Sequence, residues 1–150
     1  DRTIESLRTN QSTDPEPDPA MYEVSIAAAL EAGEPFVVTF ATPAFCGSAT
    51  CGPTLEIVKA VAAGEPDMRF IHVEPYLLEM VDDSLQPVLS EAGELQPAPW
   101  MDAWNLRTEP FVAVVDAIGN VVAKFEGTVA PDELETAISR AREGFAGSGV

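Results

Sequence analysis

The sequence predicts a single α/β domain with a mixed central sheet. In the first half, helical patterns alternate with two apolar strand patterns, Phe36–Phe40 and Met68–Glu74. The last third reads as a hairpin followed by an amphipathic helix. With 150 residues and 46% hydrophobic composition, the chain can form one domain with a substantial core. The alternating half implies parallel strands with a right-handed crossover, and the hairpin adds antiparallel ones.

The first helix is predicted over Met21–Gly33, because Tyr22, Ile26 and Leu30 share one helical face and Gly33 is a natural stop. The strand Phe36–Phe40 is apolar throughout, which predicts a central strand covered on both faces. A second helical pattern covers Leu55–Ala63 and precedes the strand Met68–Glu74.

The segment Tyr76–Arg107 is longer than an ordinary connection, so we expect it to be functional or to hold a short helix. Short helical turns are predicted at Tyr76–Val81 and Leu85–Leu89. A helical turn or an apolar loop is expected at Trp100–Leu106, where Trp100 belongs either to the core or to a substrate groove.

The C-terminal third is strongly patterned. Strands are predicted at Pro110–Asp116 and Val121–Glu126, joined by a turn that uses Gly119 and Asn120. An amphipathic helix follows at Pro131–Ala141, with acidic residues in its first turn as the helix dipole favours.

The domain boundaries follow from composition. Residues 1–19 are predicted to be a flexible acidic and proline-rich tether, because Asp14–Pro19 alternates proline with acids. Residues 20–143 form the domain, and residues 144–150 are expected to fray. A tether before the domain suits an exported protein, so we expect an extracytoplasmic location, with membrane tethering through a missing N-terminal segment as one form of it.

The charge of the chain restricts its partners. The formal net charge is -17, from 25 acids against 8 bases. Phosphate backbones and anionic lipid surfaces repel such a surface, so nucleic-acid binding is not expected. No apolar run approaches the roughly 20 residues of a membrane helix.

Two cysteines lie in the stretch Thr39–Pro53, between the first strand and the second helix. This order puts a thiol at a helix N-terminus, where backbone N–H groups and the dipole stabilise a thiolate. Residues five apart on a straight helix are rotated by about 500° and separated by about 7.5 Å, so they do not face each other. A disulfide needs a Cα separation of roughly 4.4–6.8 Å, so Cys46 must lie in the loop or the first helical turn must be distorted. A redox-active pair, a structural disulfide and two unbonded buried thiols all remain open.

Three features together resemble the thioredoxin fold, over about Met21 to Arg142. The first is the strand, the cysteine loop and the helix with its early Pro53. The second is Thr108–Asp116, similar to the segment in which a cis-proline opens a core strand beside the cysteines. The third is the hairpin Gly119–Gly127 with its closing glycine. The resemblance implies a thioredoxin-like fold with an extended insertion before the cis-proline strand.

The active-site stretch departs from the family pattern. The spacing is Cys-x4-Cys where the family has Cys-x2-Cys, and Phe45 stands where the family has Trp. Thr39 occupies the place of a buried Asp that helps to move protons, and Glu109 is a possible stand-in for it.

The resemblance implies a cis Glu109–Pro110 peptide facing the cysteine loop. We assign Cys46 as the attacking thiol and Cys51 as the resolving one, because Cys51 adjoins the core-facing helix. The predicted substrate-binding residues are Phe45, Glu109, Pro110 and Trp104, and no cofactor or metal is expected.

The predicted function is thiol–disulfide oxidoreductase activity on protein or small-molecule disulfides, with protein thiols or a redox partner protein as partners. The oligomeric state is not predicted. A different hypothesis is a thioredoxin-fold binding or structural module with an inert disulfide.

A peroxiredoxin and a copper chaperone would use the same cysteines with additional residues. In an atypical two-Cys peroxiredoxin, Thr42–Cys46 would be the peroxidatic loop, although one residue too long, and Arg107 would serve the thiolate. In a Sco-type copper chaperone, His72 would join both cysteines as a ligand. A lone strand histidine more often packs and forms hydrogen bonds, and we expect that of His72.

Overall fold

A four-stranded mixed sheet forms the centre of the protein, as predicted. The computed structural model describes residues 12–46 and 49–147. The strand order is β2-β1-β5-β6, in which β1 is parallel to β2 and antiparallel to β5, and β5 is antiparallel to β6. These strands are β1 (Phe36–Phe40), β2 (Arg69–Val73), β5 (Phe111–Val115) and β6 (Val121–Glu126).

Helices cover both faces of the sheet. They are α1 (Ile26–Ala32), α2 (Cys51–Ala63), α3 (Pro99–Ala103) and α4 (Pro131–Gly147). One apolar cluster packs α2 and α4 on the sheet, and we call it the α4-side core; its members include Val37, Leu55, Val112, Leu134 and Ile138. The other cluster packs α1 and α3 on the opposite face and includes Ala29, Phe36, Phe40, Met101 and Phe111. Every residue of β1 is buried, which confirms the prediction of a central strand.

The first helix is shorter than predicted. Pro19–Tyr22 is a separate 3-10 turn, and α1 begins only at Ile26. The Ser25 hydroxyl accepts a hydrogen bond from the Ala28 N–H and caps α1, so this local bond starts a new helix. The predicted stop is confirmed, since Gly33 ends α1 in the left-handed conformation with φ 66°.

The segment between β2 and β5 differs most from expectation. The predicted helical turns at Tyr76–Val81 and Leu85–Leu89 are wrong, because an antiparallel hairpin of β3 (Leu78–Val81) and β4 (Ser84–Pro87) occupies this region. Its turn places two consecutive non-glycine residues at positive φ, Asp82 at 48° and Asp83 at 62°. The helical turn around Trp100 is present as α3. That the segment is an insertion relative to the family stays a prediction.

The C-terminal third follows its pattern closely. The turn between β5 and β6 is closed by the Asp116 carboxylate, which accepts hydrogen bonds from the N–H groups of Ile118 and Asn120, with Gly119 at φ 90°. Helix α4 extends to Gly147, beyond the predicted domain end at residue 143. Residues 148–150 lie outside the described part of the chain.

The described part of the predicted tether does not behave as a free chain. Ser12 is 0% exposed and Asp14 is 3% exposed. Asp14 forms an ion pair with Lys59 of α2 at 2.8 Å. Residues 1–11, the rest of the predicted tether, lie outside the described residues. None of the described helices is long and apolar enough to cross a membrane.

Candidate active site

A disulfide joins Cys46 to Cys51, with a Cα separation of 6.0 Å. Cys46 lies in the loop after β1 and is partly exposed, whereas Cys51 is the first residue of α2 and is fully buried. The sequence predicted that Cys46 and Cys51 could be bonded only if Cys46 lay in the loop or the first helical turn were distorted. The structure has the first arrangement, because only Cys51 belongs to the helix. Cys46 is therefore the more exposed residue of the pair.

The start of α2 holds both sulfur atoms at the positive end of the helix. Thr54 donates its N–H to the Thr50 carbonyl at 2.9 Å, which closes the first turn around Cys51. Pro53 is the third helical residue, where the N–H it lacks would have no intrahelical partner. The Cys46 sulfur is bonded to that of Cys51, so it also lies at the N-terminal end of α2. The helix dipole favours negative charge at this end.

Pro110 opens β5 next to the start of the cysteine loop. The Glu109–Pro110 peptide is cis, as predicted. Phe111 pairs with Phe40, the last residue of β1 before the loop, so Pro110 is placed at the same end of the sheet. The Pro110 carbonyl accepts from the Gly127 N–H at 2.9 Å, and the Gly127 carbonyl accepts from the Thr54 hydroxyl at 2.9 Å. These two bonds tie the proline loop to helix α2.

The remaining predicted site residues have different surroundings. Phe45 is partly exposed beside Cys46, and its N–H donates to the Thr42 carbonyl. Glu109 is partly buried and bonds the side chain of Tyr76; burial and this carboxylate raise the pKa of Tyr76 to about 12. Trp104 packs on Phe40 with ring centroids 5.4 Å apart, and it also borders a cavity of about 510 Å³ beside β6. The structure therefore gives Trp104 a place in the core, whereas Phe45, Glu109 and Pro110 lie on or beside the loops at the disulfide end of the sheet.

Comparison with known proteins gives structural relatives only. No protein-family profile and no curated protein matches the chain. Among solved structures, MTB DsbF in its mixed oxidized and reduced forms is similar at 27% identity and a TM-score of 0.52, over 73% of this chain and 81% of that one. Chloroplastic thioredoxin z is similar at 14% identity and a TM-score of 0.53, over 79% and 88% of the two chains.

A thiol:disulfide interchange protein of the thioredoxin family from Chlorobium tepidum TLS matches at 16% identity and a TM-score of 0.51, over 79% of this chain and 85% of that one. This chain has a thioredoxin-like fold. The similar structures are thioredoxin-family proteins, and the bonded Cys-x4-Cys pair is consistent with an atypical thioredoxin-like protein.

This thioredoxin-like protein also has a set of buried polar contacts that its sequence does not predict. We call residues Ser12–Asp14 the polar strap. Thr13 donates both its N–H and its hydroxyl to Glu74 Oε1, at 2.6 and 2.7 Å, and the same hydroxyl accepts from the Ala44 N–H at 3.1 Å. The strap thus connects the end of β2 to the loop that carries Cys46.

The strap is anchored at two further points. Ser12 bonds the Tyr22 hydroxyl at 2.9 Å. Asp14 pairs with Lys59, which also pairs with Glu56. Burial lowers the pKa of Lys59, but its hydrogen bonds to the two carboxylates outweigh burial and leave the pKa raised. Nothing in the sequence of the strap signals these contacts, since the partners lie 10 to 61 residues away.

His72 is a packed, hydrogen-bonded residue, as expected. Its Nε2–H donates to the Ala41 carbonyl at 2.7 Å, and its Nδ1 bonds the Tyr22 hydroxyl at 2.6 Å. Burial raises the pKa of Tyr22, and the nearby carboxylates of Asp14 and Glu74 raise it further. Both nitrogens of His72 are engaged, and the described residues contain no group of three or more His, Cys, Asp or Glu side chains placed to hold a metal ion.

Thr39 is fully buried and pairs with His72 across β1 and β2. Its hydroxyl has no hydrogen-bond partner among the described residues. Glu74 is the buried acid of this region, and its Oε2 likewise has no partner in the described part of the chain.

Proposed function

We propose that this protein is a thiol–disulfide oxidoreductase that acts through Cys46 and Cys51 on protein or small-molecule disulfides. The observation that carries the proposal is the asymmetric pair at the start of α2, in which a partly exposed cysteine is bonded to a fully buried one. Exchange by a dithiol requires one accessible thiol to attack and a second to resolve the intermediate.

The reaction begins from the reduced pair. The Cys46 thiolate attacks one sulfur of the substrate disulfide, the substrate S–S bond breaks, and the released thiolate takes up a proton. The Cys51 thiol loses its proton and attacks the Cys46 sulfur, which breaks the mixed disulfide and releases the second substrate thiol. The substrate disulfide is reduced to two thiols, and the Cys46–Cys51 pair is oxidised to the observed disulfide. The same steps in reverse oxidise a substrate dithiol.

Three features of the site support this chemistry. The N-terminus of α2 favours the thiolate form of the attacking sulfur. Phe45, partly exposed and adjacent to Cys46 in the sequence, offers apolar surface for the substrate, and the cis-Pro110 loop lies at the same end of the sheet. The similarity at 27% identity to MTB DsbF, described in mixed oxidized and reduced forms, agrees with a pair that changes redox state.

We also propose that the partner is a protein with accessible thiols or a disulfide. An extracytoplasmic location, exported or membrane-anchored, stays a prediction from the polar N-terminal sequence. The net charge of -17 favours partners that are neutral or basic around the reacting cysteine.

A redox titration tests the proposal. The protein is equilibrated in thiol and disulfide glutathione mixtures, and the Cys46–Cys51 pair is quantified by alkylation and mass. We expect reversible interconversion and reduction of bis(2-hydroxyethyl) disulfide by the reduced protein, both abolished in Cys46→Ser. A pair that resists reduction, with no turnover of this neutral disulfide, would favour an inert structural disulfide. Rapid peroxide consumption with no disulfide turnover would favour a peroxiredoxin.

A further inference from the structure

A cavity of about 330 Å³ opens beside the end of β2, on the strap side of the disulfide loop. Its apolar walls come from the hairpin residues Leu78 and Leu85. Three aromatic rings, Tyr22, Tyr76 and Trp100, complete the lining together with His72, Val73 and Glu74.

Two of these rings are held in place by hydrogen bonds. Trp100 donates its Nε1–H to the Glu74 carbonyl at 2.8 Å, and Tyr76 bonds Glu109. The Trp100 side chain is 41% exposed, so a ligand can reach the ring. The phenol of Tyr76 is uncharged at neutral pH, and burial raises its pKa further, to about 12. Fixed, neutral aromatic rings attract cations through their π faces.

The acidic side chain in the cavity lining is that of Glu74. Glu74 is 6% exposed; its Oε1 accepts two bonds from Thr13, and its Oε2 has no hydrogen-bond partner within the described residues. Oε2 is closed off from solvent, so a cation in the cavity is attracted by the charge of the carboxylate without touching this oxygen, and the low-dielectric surroundings strengthen that attraction. Lys59, the basic side chain bonded to the strap, is already paired with Asp14 and Glu56.

The cavity is connected to the disulfide loop at two points. Thr13 bridges Glu74 to Ala44, two residues before Cys46. Glu109, the partner of Tyr76, directly precedes the cis-Pro110 that lies beside the loop. A group bound in the cavity is therefore placed next to a substrate that reacts at Cys46.

We propose that this cavity binds an alkylammonium group, with its methylene chain against Leu78, Leu85 and Trp100 and its charge directed towards Glu74. The ammonium group belongs to the disulfide substrate, as a lysine side chain close to the reacting cysteine. The substrate assignment rests on the proposed oxidoreductase function, whereas cation binding by the cavity does not.

The binding test uses n-pentylammonium as the probe and the indole N–H signals of the two tryptophans as reporters. In the oxidised protein we expect a saturable shift of the Trp100 signal, with the Trp104 signal unchanged. The neutral n-pentanol should give no saturable shift. Glu74→Gln keeps an oxygen acceptor for Thr13 but removes the charge, and it should weaken binding by about tenfold or more. Glu79→Gln, an exposed acid of β3, is the matched control and should leave binding unchanged.

A second variant tests the site independently, in case Glu74→Gln does not fold. Leu85→Arg places a guanidinium group in the cavity wall, on a partly exposed hairpin residue, and should abolish n-pentylammonium binding in a folded protein. Equal shifts with n-pentanol, or unchanged n-pentylammonium binding in both variants, would overturn the site.

The kinetic test compares two disulfide peptides that differ only in lysine or norleucine beside the cysteine. The reduced wild-type protein should reduce bis(2-hydroxyethyl) disulfide and should prefer the lysine peptide by about tenfold. Glu74→Gln should lose that preference, whereas Glu79→Gln, the exposed control, should keep both the preference and the wild-type rate with bis(2-hydroxyethyl) disulfide. If the neutral disulfide is not reduced at all, the oxidoreductase function fails. If it is reduced but the two peptides react equally, the substrate assignment is wrong, and n-pentylammonium binding would then mark the cavity as a site for free amines.

Discussion

The α4-side core and the polar strap are held by different kinds of contact. The core buries Leu134 and Ile138 completely against the sheet, and its members lie on elements that the sequence pattern predicts. The strap buries Ser12 through a hydrogen bond to Tyr22, ten residues away, and Asp14 through an ion pair to Lys59, 45 residues away. Apolar packing is not directional, whereas hydrogen bonds fix geometry. The core should therefore determine global stability, and the strap should determine the position of the loop that carries Cys46.

The largest effect is expected in the core. Leu134 is fully buried on α4, so Leu134→Ala should lower the free energy of unfolding by about 3 kcal/mol, measured by urea denaturation. The rate at which the reduced protein reacts with a neutral disulfide should stay near that of the wild type. Val121→Ala, at a position 51% exposed, is the control and should change stability by less than about 0.5 kcal/mol. If folded Leu134→Ala reacted much more slowly with the neutral disulfide, the core would also control the reactivity of the site, and the proposed difference between core and strap would be wrong.

A smaller loss is expected at the ion pair of the strap. Asp14→Asn leaves the partly buried Lys59 without its buried partner and should destabilise the protein by about 2 kcal/mol. Glu56→Gln removes the exposed partner of the same lysine and should cost less than about 0.5 kcal/mol. Urea denaturation of both variants checks the difference, and equal losses would show that burial of Asp14 contributes little.

Removal of the strap hydroxyl should affect the site more than stability. Thr13→Val deletes the bridge between Glu74 and Ala44 and should cost about 1 kcal/mol. The loop loses an anchor, so iodoacetamide should alkylate Cys46 severalfold faster in the reduced variant. Thr136→Val removes an exposed hydroxyl on α4 and should leave the alkylation rate unchanged. Identical rates in the wild type and Thr13→Val would mean that the strap does not position the loop.

The smallest effect concerns alkaline stability. The folded-state pKa of Tyr76 is raised from 10.0 to about 12, so the folded protein holds this proton more tightly than the unfolded chain. The resulting stabilisation is fully present below pH 10 and is lost as the pH rises through 12. The free energy of unfolding should therefore fall between these values, and Tyr76→Phe should make the fall shallower. A fall of the same steepness in the variant would assign it to other groups, among them Tyr22, whose pKa is also raised.

The same contrast explains what the sequence could predict. Strands β1, β5 and β6 and helix α4 follow from apolar runs and periodicity, because each buries a contiguous face. The hairpin β3–β4 was missed because its mixed apolar and polar residues fit helix and strand alike. The turn Asp82–Asp83 has both residues at positive φ without the glycine that normally signals such a turn.

In the site, the cysteine pair and the cis-proline were predictable because they are local motifs. The contacts of Thr13, His72 and Glu74 were not, because no local pattern records a hydrogen bond across 61 residues. The alternation of proline and acids in Asp14–Pro19, which begins at the end of the strap, predicts an extended chain, but composition does not say whether that chain packs on the domain.

The central claim is that Cys46 attacks and Cys51 resolves. The most direct measurement is the rate of iodoacetamide alkylation of the single remaining thiol in Cys51→Ser and in Cys46→Ser, over a range of pH. Because Cys46 is partly exposed and Cys51 is fully buried, the thiol of Cys51→Ser should react about tenfold faster or more, and this variant alone should accumulate a mixed disulfide with substrate. Faster alkylation of Cys51 in Cys46→Ser, or trapping of the mixed disulfide on Cys51, would contradict the assignment.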